Sequence, residues 1–169
     1  MTPRTSSAAG LLTLVALLLA GCRGGAPDQV PALHPRIDDW PETTVEVVAD
    51  GDVLEVAALV AASPERRQRG LQEVEVLPAG VGMLFLFDRD RTTGFWMKDT
   101  LVPLEIAFAT VDGEIVEVLS MQPCEADPCD VYAPEEPYRV ALEVPDGWFT
   151  EHGVGAGDRL RWGEVPTPR

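Results

Sequence analysis

From Thr43 onward, apolar and polar positions alternate in short runs that read as strands. "TTVEVVA" and "VLEVAALVA" flank Asp50-Gly51-Asp52, a strong hairpin signal. "ASPERRQRG" then changes character: Ser63 is placed to cap a helix, Pro64 to open it and Gly70 to end it. "MLFLF" (Met83 to Phe87) is a continuous apolar strand, and "DRDRTTG" is a polar loop. "FWM" starts another strand, which Lys98-Asp99-Thr100 interrupts. "LVPLEIAFATV", Asp112-Gly113 and "EIVEVLSMQ" form a second hairpin, with Pro103 confined to an edge or a bulge. "YRVALEVP" sets Val140, Leu142 and Val144 against Ala141 and Glu143. "DGWFTEHG" predicts a short helix from a cap at Asp146 to a stop at Gly153, and "GAGDRLRW" turns into a last strand. About eight strands and two short helices, without a repeat or a glycine-rich strand-to-helix loop, predict an antiparallel sandwich or barrel and argue against nucleotide-binding folds.

The stretch before these strands has a different pattern. Arg4 is followed by "AAGLLTLVALLLA", an apolar run too short for a comfortable membrane span. It ends in "LAGC", Leu19 to Cys22, and so resembles a bacterial lipoprotein signal. The resemblance implies removal of residues 1–21 and a lipid on Cys22 that holds the chain to a membrane, since two or more acyl chains anchor stably. Arg23, not an aspartate, follows the cysteine. In an envelope with two membranes this directs the protein to the periplasmic face of the outer membrane, and otherwise to the outer face of the plasma membrane. Residues 22–42 are rich in proline and glycine and read as a tether, residues 43–163 as a single domain and residues 164–169 as a flexible tail.

Charge narrows the partners. A formal net charge of −15 opposes binding to nucleic acid and to anionic lipid headgroups. Against this background Arg66, Arg67 and Arg69 make the predicted helix locally basic.

With Cys22 assigned to lipid, Cys124 and Cys129 of "PCEADPC" remain. An even pair in an exported chain reads as a disulfide. Metal binding and redox chemistry are the rival readings. Only His34 and His152 are available as histidine ligands, however, and there is no Cys-x-x-Cys. No cofactor or metal is expected.

"RGLQ", "GMLFLF", "FWMKDTLVPLEIAF", "PCEADPC" and the closing "ALEVPDGW…HGVGAGDRL" together resemble domain-of-unknown-function family 192, from about Val45 to Leu160. The resemblance implies a compact β-sandwich of jelly-roll type, often exported, and no particular activity. The chain has Asp99 where the family usually has asparagine. It has Gln72, Glu73 and Val74 where an arginine usually follows a Gly-Leu-Met. At position 99 the aspartate keeps a hydrogen-bond acceptor and adds a charge.

Lys98 is the only lysine in the chain. A compact, tunable ammonium differs physically from the planar arginine fork. Strand alternation sets Phe95 and Met97 on one face and Trp96 and Lys98 on the other. Three readings follow. In the first, Trp96, Lys98, Asp99, Thr100 and Glu105 form a binding site for a carbohydrate or other small ligand, with Trp96 and Lys98 in one pocket. In the second, Asp99 and Glu105 are a carboxylate pair acting on cell-wall or polysaccharide substrates, or Lys98 serves as an amine of depressed pKa. In the third, Lys98 pairs with a carboxylate and only pins a bend. Ser63 and Ser120, the serines beyond the signal, lack a Gly-x-Ser-x-Gly setting. The leading expectation is a non-enzymatic envelope module that binds a carbohydrate, small ligand or partner protein.

Overall fold

The computed structural model describes residues 30–166. The signal, Cys22, the first part of the tether and the last three residues lie outside that range. Among the described residues, no helix is long and apolar enough to cross a membrane.

The described residues are mainly β, with nine strands and two short helices. β1 (Glu42–Ala49) and β2 (Asp52–Ala61) form the first hairpin. Asp50 and Gly51 take φ of 49° and 90°, the pair of positive values that a two-residue hairpin turn needs. α1 (Pro64–Arg69) opens with Ser63 Oγ accepting from the Arg66 amide at 3.3 Å. β3 (Val81–Arg91) then runs parallel to β2, because α1 and the following loop carry the chain back to the end where β2 began. β4 (Phe95–Trp96) follows, then the hairpin of β5 (Leu104–Ala109) and β6 (Ile115–Met121). β7 (Val131–Tyr132), β8 (Tyr138–Pro145), α2 (Trp148–Glu151) and β9 (Arg159–Trp162) complete the order.

Seven strands form one mixed sheet in the order β6-β5-β8-β3-β2-β1-β9, while β4 and β7 pair separately. The sheet's ends also meet. Glu114 bridges Arg159, the Ile115 amide donates to Asp158 at 2.8 Å, and the Leu160 amide donates to Gly113 at 2.7 Å. The strand order thus curls towards a barrel. The parallel β2–β3 pair makes the large sheet mixed and so corrects the expected antiparallel arrangement. Short-strand spacing reports strand number but not the direction of a strand reached through a helix.

The curl makes two cores. All seven strands contribute to the inner one, among them Val47, Val60, Leu84, Ala107, Leu142 and Leu160. The outer one lies on β2, β3, β5, β6 and β8, where Leu59, Met83, Phe85, Ile106 and Phe108 are covered by Ile37, Leu71, Val74 and Met97. Central strands buried on both faces carry continuous apolar runs, as in "MLFLF".

Residues 30–41, expected to be tether, belong to this outer cover. Ile37 is fully buried, and the Leu33 and His34 amides donate to Asp38 Oδ1 at 2.7 and 2.8 Å. Arg66 lies over Trp40, 5.4 Å from the ring centroid. At the other end, Val165 of the expected tail packs against the inner core.

Candidate functional site

The Gly94–Thr100 segment is built around one close approach. A Cβ on Gly94 would lie 2.4 Å from the Tyr132 carbonyl oxygen, so only glycine lets β4 pair with β7. Phe95 turns inward and packs edge-on against Phe85, with centroids 4.9 Å apart, while Met97 is buried beside it in the outer core. Trp96 faces outward, 51% exposed, opposite the exposed Val131. Lys98 Nζ stands 5.9 Å from the Trp96 centroid and 3.5 Å from Asp127 Oδ2. Alternation therefore places Trp96 and Lys98 on one side, and Lys98 ties that side to the cysteine loop. Asp99 sits at φ 57°, and its carbonyl accepts from the Glu73 amide at 2.8 Å. Thr100 is buried, its amide closing a turn onto the Met97 carbonyl at 3.2 Å.

Glu105 goes elsewhere. Its register neighbours Ala107 and Ala109 face the inner core, and its carboxyl accepts the Phe149 amide at 2.6 Å, the Thr150 amide at 3.2 Å and the Thr150 hydroxyl. It therefore caps α2, whose own N-cap is Gly147 with no side chain to offer; Asp146 does not serve. Glu105 is thus buried and its carboxyl is taken up by α2, whereas Asp99 is exposed on its loop.

Two hollows flank the segment. The first is an open groove of about 290 Å³ between Arg67 and Gln68 of α1, Phe87 and Arg91 of β3, Trp96 and Tyr138. Phe87, Phe95, Phe108 and Tyr138 contact one another edge-on or tilted beneath it. Tyr138 donates its hydroxyl to the Thr93 carbonyl at 2.6 Å, and burial raises its pKa. Both arginines lie over the Phe87 ring, with Cζ at 5.0 Å for Arg67 and 5.5 Å for Arg91. Burial is also the main cause that lowers the Arg67 pKa; Asp88 opposes this and the like charge of Arg91 adds to it. The second hollow, about 300 Å³, lies between Met97, Gln122, the cysteine loop and Tyr132. Lys98 lines neither, so the expected pocket holding both Trp96 and Lys98 is a groove holding Trp96 alone.

Cys124 and Cys129 are joined as a disulfide, with Cα atoms 5.4 Å apart. Their sulfurs and an Asp127 oxygen lie within 4.8 Å of one another, but sulfurs bonded to each other are not thiolate ligands.

Residues 45–162 match the model of DUF192, described as "Uncharacterized ACR". The chain belongs to the DUF192 family. Two solved structures are similar to this DUF192 domain. One is a proposed transcription regulator from Sinorhizobium meliloti 1021, 28% identical, with a TM-score of 0.66 over 73% of this chain and 95% of that one. The other is a protein of unknown function from Novosphingobium aromaticivorans DSM 12444, 24% identical, with a TM-score of 0.67 over 80% and 94%. No curated protein matches the chain.

In this DUF192 chain the pattern of the sequence points to Phe95 and Trp96 but not to Phe87, Tyr138 or Arg91. Phe87 ends an apolar strand and Arg91 sits in a polar run, whereas β3 continues through Arg91. The legible signal was the basic helix, which supplies Arg67.

Proposed function

We propose that this DUF192 chain is an exported, lipid-anchored module that binds a carbohydrate or another small ligand in the groove between α1, β3 and Trp96. One observation carries the reading: a tryptophan left 51% exposed on the wall of a groove of about 290 Å³. Leaving a large aromatic in water forgoes burial, and a flat ring beside a hollow offers a stacking surface to a ligand. The volume suits a small molecule, and the arginines and Gln68 supply polar groups to orient it.

The lipid anchor rests on "LAGC" and places the domain at a membrane face. The description given to the Sinorhizobium relative does not carry over, because a net charge of −15 opposes nucleic-acid binding.

The test is a panel of neutral and acidic saccharides and small acids added to the full chain in detergent micelles, followed by the Trp96 indole N–H resonance. At least one ligand class shifts it and saturates. A panel that leaves Trp96 unmoved while the domain is folded overturns the reading.

A further inference from the structure

We infer that the groove takes an oxyanion, a carboxylate or phosphate group on a small ring-bearing molecule, held by the Arg91 guanidinium. The inference rests on the binding role proposed for the groove and names the class of its ligand.

Arg91 is the decisive residue. Its Nε is buried and has no hydrogen-bond partner. A guanidinium offers five donors, and burying one unpaired is unfavourable. The chain carries 28 acidic residues against 13 basic ones, so acid partners are plentiful. Arg69, Arg36 and Arg139 each have one, in Glu73 or Asp90. Arg91 has none among the described residues, although Asp90 is next to it in sequence; Asp90 is held by Arg139 Nε at 2.9 Å.

The surroundings hold the Arg91 fork in place. Its Cζ rests 5.5 Å from the Phe87 centroid, and Arg67 shares that ring. Arg67 is fixed by Nη1 donating to the Ala62 and Leu86 carbonyls at 2.7 and 2.9 Å. Two guanidinium groups thus face one groove and repel each other, with Asp88 felt by Arg67 as a partial counterweight. An entering oxyanion relieves that repulsion by meeting the Arg91 guanidinium that lines the groove. A planar fork matches carboxylate and phosphate oxygens bidentately. Trp96, on the same groove, is the surface for the ring that carries the anion.

Three probes test this on the full chain in micelles: glucuronate, glucose 6-phosphate and neutral methyl glucoside. The readouts are the Trp96 indole N–H and the Arg91 Nε–H resonances. At least one charged probe is expected to move both, and to bind roughly tenfold more tightly than the neutral probe, because only it engages the guanidinium. Added salt weakens that binding. Arg91→Lys, which keeps the charge but loses the fork, weakens it by about tenfold. Which charged probe binds better assigns the oxyanion to a carboxylate or a phosphate. If methyl glucoside binds as tightly as the charged probes, the oxyanion assignment fails while binding in the groove stands. If no probe moves Trp96, both fail. The contrast between charged and neutral probes and the salt dependence are read on the unaltered chain, so the test survives if Arg91→Lys does not fold.

Discussion

Asp99 holds a φ of 57°, in the left-handed region that asparagine, aspartate and glycine tolerate best. At such a backbone position aspartate and asparagine are both tolerated. Asp99→Asn is therefore expected to change stability by less than about 0.5 kcal/mol, and Asp99→Ala to cost about 1 kcal/mol, both read by urea unfolding. Lys98 proves less singular than its sequence setting suggested. Its pair with Asp127 has side chains 41% and 74% exposed, so Lys98→Met should cost under about 1 kcal/mol. Glu143 is the opposite case. Its register partners Met83 and Ile106 both lie in the outer core, it is 5% exposed, and burial pushes its pKa up to about 8. The folded state therefore binds a proton that the unfolded chain releases near the ordinary carboxyl pKa, about 4.3. Glu143's contribution to stability is full below that value, falls as pH rises, and levels off above about pH 8. Glu143→Gln should remove this slope in unfolding measurements from pH 5 to pH 9, raising stability at the alkaline end by several kcal/mol on an order-of-magnitude scale.

At the level of elements, the dependence of α2 on Glu105 is the most specific consequence of the fold. A four-residue helix with glycine at its N-cap cannot satisfy its own first amides, and a strand residue far away in sequence does so. Glu105→Ala strands buried donors and should cost on the order of 3 kcal/mol, with faster amide exchange at Phe149 and Thr150 than elsewhere in the inner core. Strand positions, both hairpins and the Ser63 cap were legible because each is a local pattern. The cap at Asp146 was misassigned because the true acceptor is non-local. The parallel β2–β3 pair was missed for a related reason: the pattern of β2 shows burial on both faces but says nothing of its neighbour's direction. Lys98 drew attention because it is chemically unique, whereas Arg91, one arginine of twelve, gave no local sign that β3 would carry it into a groove lacking an acid partner.

For the whole molecule, the curled sheet with two cores supplies a rigid frame, and the groove sits on its outer layer where α1, β3 and the β4–β7 ribbon meet. The outer layer also takes up residues 30–41, which their proline content had marked as tether. Anchoring through Cys22 is checked separately from binding: Cys22→Ser should abolish incorporation of labelled palmitate and release the protein from the membrane fraction. The claim that unites the account is that Trp96 stays exposed in order to meet a ligand. The most direct measurement is calorimetric titration of the saccharide or small acid that shifts the Trp96 resonance, into the full chain and into Trp96→Ala. Thermal unfolding of both proteins serves as the control. Trp96→Ala is expected to weaken binding by at least about tenfold while the melting temperature is nearly unchanged, because a half-exposed side chain contributes little to the core. Equal affinity in the two proteins would contradict it.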